Sequence, residues 1–132
     1  MTGFATGTPK LLLRAEAAIV LAVAISIYHH IGASWTLFAL LLLVPDLSML
    51  GFLAGPRIGA RVYNAAHWYG TPMIACYVGF LWDVPMLLAI GLIWIAHIAF
   101  DRLIGAGLKY ENGFRFTHLG EYGAKPLQTR SD

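Results

Sequence analysis

The run Ala96-His97-Ile98-Ala99-Phe100-Asp101 sets an imidazole and a carboxylate four positions apart in an otherwise apolar stretch. On a helix, positions i and i+4 share one face, so both groups reach a single ion. Two nitrogen or oxygen donors from one helical turn are a common beginning of a zinc or manganese site. Asp46, which follows Pro45, and His67 would bring the set to four donors from three helices. Tyr63 and Asn64 precede His67 by four and three residues, on its own face, where they would orient the ring. With a divalent ion held there, Glu16 is the candidate general base, and Arg14, Arg102 and Lys109 are candidates to bind an anionic headgroup. The same residues allow plainer roles. Asp101 could neutralise a nearby arginine or orient His97, the acids and histidines could relay protons, and His67 with His97 could ligate a haem.

The elements that position these groups follow from composition. Of 132 residues, 58% are hydrophobic and only 12% are charged, about half the usual share for a soluble domain. One domain of this length could bury only part of so much apolar surface in a soluble core. Nine Lys+Arg against seven Asp+Glu are too balanced for a nucleic-acid partner. The single cysteine, Cys76, forms no internal disulfide. These figures describe an integral membrane protein whose partners are lipids, with self-association left open. Four apolar stretches, 11–31, 35–53, 60–81 and 85–108, each match the ~20 helical residues that cross a hydrocarbon core. The expected fold is all-α: a four-transmembrane-helix bundle filling one domain, 1–120, with a polar tail, 121–132. Arg14 and Glu16 interrupt what would be the apolar centre of a signal peptide, so the first span is expected to be retained.

All nine basic residues fall at the N-terminus, around the Arg57–Arg61 loop, or at the end of the last span and beyond. The positive-inside rule therefore puts both termini in the cytoplasm of a multi-pass protein of the plasma membrane. A reporter fused after Asp132 and another inserted between Gly55 and Pro56 should both read cytoplasmic, whereas one at Ala33 or Asp83 should read external. At ~1.5 Å per residue, Glu16 and His67 lie about 8 Å from the cytoplasmic side, Asp46 and His97 about 12 Å, and Asp101 less. All four spans thus contribute polar groups to one layer. Pro45 removes a backbone donor beside Asp46 and should kink the second span, freeing carbonyls there. Gly51, Gly55 and Gly59 straddle Pro56 and read as turn chemistry. His29 and His30 form an ordinary interfacial pair beside Trp35. Beyond Asn112-Gly113 the segment Phe114-Arg115-Phe116-Thr117-His118 alternates aromatic and polar residues; it could lie on the headgroups or fold back and bring His118 to the polar layer.

Leu12-Leu13-Arg14-Ala15-Glu16, Pro45-Asp46-Leu47-Ser48-Met49-Leu50-Gly51, Tyr63-Asn64-Ala65-Ala66-His67 and Ala96 through Arg102 resemble, in that order, the motifs of one family. With Gly107-Leu108-Lys109-Tyr110 and Thr117-His118-Leu119-Gly120, they resemble the small bacterial membrane proteins grouped as domain of unknown function 4260. That resemblance implies a compact four-helix membrane protein and assigns no activity. Asp46, His67, His97 and Asp101 are also similar in order to the ligands of inner-membrane metal-dependent hydrolases related to phospholipase C-like zinc enzymes. This chain lacks the extra histidine those proteins place after the first Asp and beside the His67 position, so the similarity implies one ion rather than several.

Overall fold

The computed structural model describes residues 6–106, 108, 116–117 and 120–121. Helix α1 spans Gly7–His30 and α2 spans Trp35–Leu41; a 3-10 helix, Val44–Ala54, continues from α2. Then come α3 (Pro56–His67), α4 (Gly70–Leu81) and α5 (Pro85–Leu103). In the tail, β1 (Phe116–Thr117) pairs antiparallel with β2 (Gly120–Glu121), a two-residue ladder added to an otherwise helical protein.

Among the described residues, three stretches are long and apolar enough to cross a membrane: Gly7–His30, Trp35–Ala54 and Pro85–Leu103. The stretch expected to be one continuous span over 60–81 is instead two helices of 12 residues, α3 and α4. Each is about 18 Å long, too short for a ~30 Å core. The cause is Pro72. It has no N–H to give the Trp68 carbonyl, and its ring would collide with that carbonyl in a continuous helix. Trp68 turns to extended backbone (φ −97°, ψ 153°), and its indole N–H donates to Thr71 Oγ1 at 2.8 Å. Helix α5, the fourth expected span, stops at Leu103, short of the expected 108, with Gly105 at φ +91° just beyond.

α5 is the central element. It packs on α1 along one side and α4 along another, and buries Ala89, Leu92, Ile93, Ala96, Ile98 and Ala99. The α4–α5 turn is tightened by Asp83 in the left-handed region (φ +52°), which Asp tolerates better than most residues. Arg14 Nε donates to the Leu103 carbonyl at 2.8 Å, so the start of α1 lies beside the end of α5.

The 3-10 helix and α3 form a hairpin about Gly55, whose φ of +115° only glycine adopts without strain, and Pro56 opens α3 where its missing N–H costs nothing. Gly59 lets the arms touch, because a Cβ there would stand 2.6 Å from Phe52 Cα and overlap its ring. The glycines read as turn chemistry thus serve two ends: Gly55 makes the turn, while Gly51 and Gly59 bring the arms together. We expect Gly59→Ala to force the arms apart at a cost of about 1–3 kcal/mol, seen as a lower melting temperature in detergent.

Candidate metal centre

The two arms of the hairpin have different rises but reach the same height. Asp46 stands nine residues before Gly55 on a 3-10 helix, about 18 Å at ~2.0 Å per residue. His67 stands twelve residues after Gly55 on an α-helix, again about 18 Å. The two side chains therefore meet at one level, where they face His97 and Asp101 on α5.

His97 Nε2 lies 3.1 Å from His67 Nε2, 3.1 Å from Asp46 Oδ1 and 3.1 Å from Asp101 Oδ2. His67 Nε2 lies 3.4 Å from Asp46 Oδ1 and 3.3 Å from Asp101 Oδ2. One donor atom from each residue falls within 4.8 Å of all the others. Both histidines are buried, and the carboxylates are only partly exposed.

Hydrogen bonding does not account for this convergence. A ring nitrogen carries one hydrogen or one lone pair, yet each Nε2 has three polar neighbours. The far sides of the rings show which it is. His67 Nδ1–H donates to the Tyr63 carbonyl at 2.9 Å, leaving Nε2 as the lone pair in the neutral ring. His97 has the backbone of Leu42 as a polar neighbour. The Leu42 N–H is already given to the Phe38 carbonyl at 2.9 Å, so the Leu42 carbonyl is the group available to accept from His97. Two lone pairs and two carboxylate oxygens then point at one centre, an arrangement that a cation resolves. Bonds of 2.0–2.1 Å in a tetrahedral zinc site give ligand–ligand edges of about 3.3–3.4 Å, and octahedral sites give somewhat shorter ones. These five separations could accommodate a single divalent ion. They do not fit one haem: its axial nitrogens face each other across the iron, about 4 Å apart, with no room for carboxylates between them.

The Leu42 carbonyl is free because of Pro45. The Asp46 N–H, its partner in a continuous α-helix, bonds Leu43 O at 3.1 Å instead. Its partner in a 3-10 helix would be residue 45, which has no N–H. The kink thus frees a carbonyl, and the carbonyl holds His97. Tyr63 stacks flat on His67 with centroids 3.7 Å apart, so it acts through both its ring and its carbonyl. Asn64 caps the end of α3, its carbonyl accepting from the Trp68 N–H at 3.1 Å. Ser48 was not singled out in the sequence. Its hydroxyl donates to Pro45 O at 2.6 Å and sits 3.4 Å from His67 Nδ1, a place signalled only by its spacing of three from Pro45.

The other sequence candidates lie elsewhere. Arg102 is not directed at the cluster. Its guanidinium covers the Tyr69 ring at 4.3 Å, and one nitrogen donates to the His67 carbonyl at 3.4 Å. Trp94 Nε1 donates to the Ala66 carbonyl at 2.6 Å. The C-terminus of α3, ending inside the bundle, thus has its orphaned carbonyls satisfied by α5. Arg14 serves Leu103, and Glu16 is exposed on α1, with no ion pair to Arg102 or to the cluster among the described residues. Lys109 and His118 lie outside the described residues.

The accessible side of the cluster opens on a cavity of about 300 Å³ whose lining includes Asp46, His97, Asp101 and Tyr63. Behind it, reached at Ser48 and Ala66, is an apolar cavity of about 400 Å³. A bound ion would tie α5 to the hairpin, adding to the Trp94–Ala66 and Arg102–His67 hydrogen bonds between them. Binding free energy in such a site is folding free energy, so a chelator should lower the melting temperature of metal-loaded protein. The same treatment should leave the Asp101→Asn variant unmoved.

No curated protein and no solved structure matches the chain. The profile of domain of unknown function 4260 (DUF4260) does, over residues 10–122, which takes in all four cluster residues and the helices apart from the first three residues of α1; the chain is a member of that family.

Proposed function

We propose that this protein is a membrane-embedded, metal-dependent hydrolase acting on a lipid ester or phosphoester at the cytoplasmic leaflet. The observation that carries the reading is the convergence of two lone-pair imidazole nitrogens and two carboxylates on one point, with the carboxylates on the cavity side. A divalent ion held by Asp46, His67, His97 and Asp101 would supply Lewis acidity and acidify water near neutral pH. Tyr63 and Leu42 hold the two imidazoles in the ligating tautomer through their carbonyls. Asp46, the more exposed carboxylate, is the proton acceptor nearest the cavity; Glu16 does not line it. Protein purified in detergent should carry close to one equivalent of zinc or manganese and release product from micellar lipid. Chelator-treated protein should release none.

A non-enzymatic reading, ion or proton handling, draws on a different observation. Two interrupted helices, at Leu42–Leu43 and Trp68–Tyr69, meet at the cluster, and membrane ion pathways are often built on such breaks. Zinc flux into proteoliposomes without lipid turnover would favour it over hydrolysis.

A further inference from the structure

The cavity in front of the cluster has a particular charge. Its walls are Leu42, Leu43, Met49, Phe100 and Ile104, and its polar groups are Asp46, His97, Asp101 and Tyr63. No lysine or arginine lines it among the described residues. The Arg14 and Arg102 guanidiniums are committed to the Leu103 carbonyl and to the Tyr69 ring and His67 carbonyl. One divalent ion and two carboxylates cancel, which leaves no net positive charge for a phosphate. A phosphoester would bring a formal negative charge among apolar walls that offer no lysine or arginine among the described residues, a poorly compensated burial. An ester carbonyl carries no charge, and its two apolar arms suit these walls.

Position agrees with polarity. Asp101 lies two residues before the end of α5, so the cluster opens near a membrane face. Leu43, Phe100 and Ile104 at the mouth are 66%, 51% and 46% exposed, an apolar entrance from the bilayer. Lipid ester linkages sit at this depth, between headgroup and hydrocarbon.

Resting on the hydrolase reading, we infer that the substrate is an uncharged acyl ester of a membrane lipid. Water adds to the acyl carbon and the acyl C–O bond breaks. The water proton passes through the Asp46 carboxylate to the leaving alkoxide, giving a fatty acid and an alcohol.

The experiment presents the full chain, zinc-loaded in mixed micelles, with dioleoylglycerol or with dioleoyl phosphatidic acid, which has the same acyl chains. Fatty acid should be released from the uncharged lipid about tenfold faster or more, since a charge without a complement at a buried site is strongly disfavoured. Binding gives a second readout: an uncharged dialkyl ether should raise the melting temperature of the loaded protein, and its phosphorylated counterpart should not. Ile104→Lys, beyond the end of α5, places a cation at the mouth and should shift the preference toward phosphatidic acid by about tenfold. Preference of the wild type for the anionic lipid, or release of inorganic phosphate, would overturn the inference and leave the hydrolase reading standing. Turnover of neither lipid by zinc- or manganese-loaded protein would overturn both.

Discussion

Asp101→Asn and His97→Ala should each reduce bound divalent metal from about one equivalent to about a tenth or less. Each change removes one of four ligands, and the cluster contains no spare donor among the described residues. Asn keeps the size and shape of Asp but supplies a weak neutral ligand, so loss of metal in Asp101→Asn cannot be put down to a collapsed core. His29→Ala and His30→Ala, at the far end of α1, should leave metal content unchanged. Metal content by elemental analysis, with the melting temperature measured on the same samples, decides the matter. Full occupancy in both cluster variants would rule out this site.

Pro45→Ala should weaken metal binding by about 10–100-fold, the usual cost of losing a hydrogen bond that orients a ligating histidine. The substitution touches no ligand. It restores a backbone N–H that competes for the Leu42 carbonyl, and His97 loses the acceptor that holds its ring. The metal-free variant should be at least as stable as the wild type, because alanine is a better helix former than proline. That combination separates an orienting role from general damage. Competition against a metal buffer measures the affinity, and an unchanged value would show that the kink does not serve the site.

The cluster was legible in the sequence because its chemistry is local and costly. Charged and imidazole groups in apolar spans stand out, the His97–Asp101 spacing implies a shared face, and depth arithmetic brings Asp46 and His67 to their layer. The kink at Pro45 was legible for the same reason, as one missing N–H has definite consequences. What was not legible came from assuming α-helical rise and continuity throughout. The window over 60–81 looked like one helix because its hydropathy outweighed Pro72, although that proline alone forbids a continuous ladder to Trp68. The place of Arg102 on the Tyr69 ring and the His67 carbonyl follows from the break after His67, which hydropathy does not show. The packing role of Gly51 and Gly59 depends on how closely two arms approach, which no single window of sequence shows.

The 3-10 helix also makes the hairpin a counting device. With three residues per turn, Leu43, Asp46, Met49 and Phe52 stack on one side. The first three border the cluster's cavity, while Phe52 packs on Gly59 and anchors the arm to α3. Inserting or deleting one residue between Asp46 and Phe52 would turn the carboxylate about 120° from the anchor, out of reach of both histidines. A change of three residues would restore the direction but shift the height by about 6 Å. Natural length variation in this protein's relatives should therefore collect in the tail beyond α5 and in the Gly32–Ser34 and Trp82–Val84 links, and bypass the eleven residues from Val44 to Ala54.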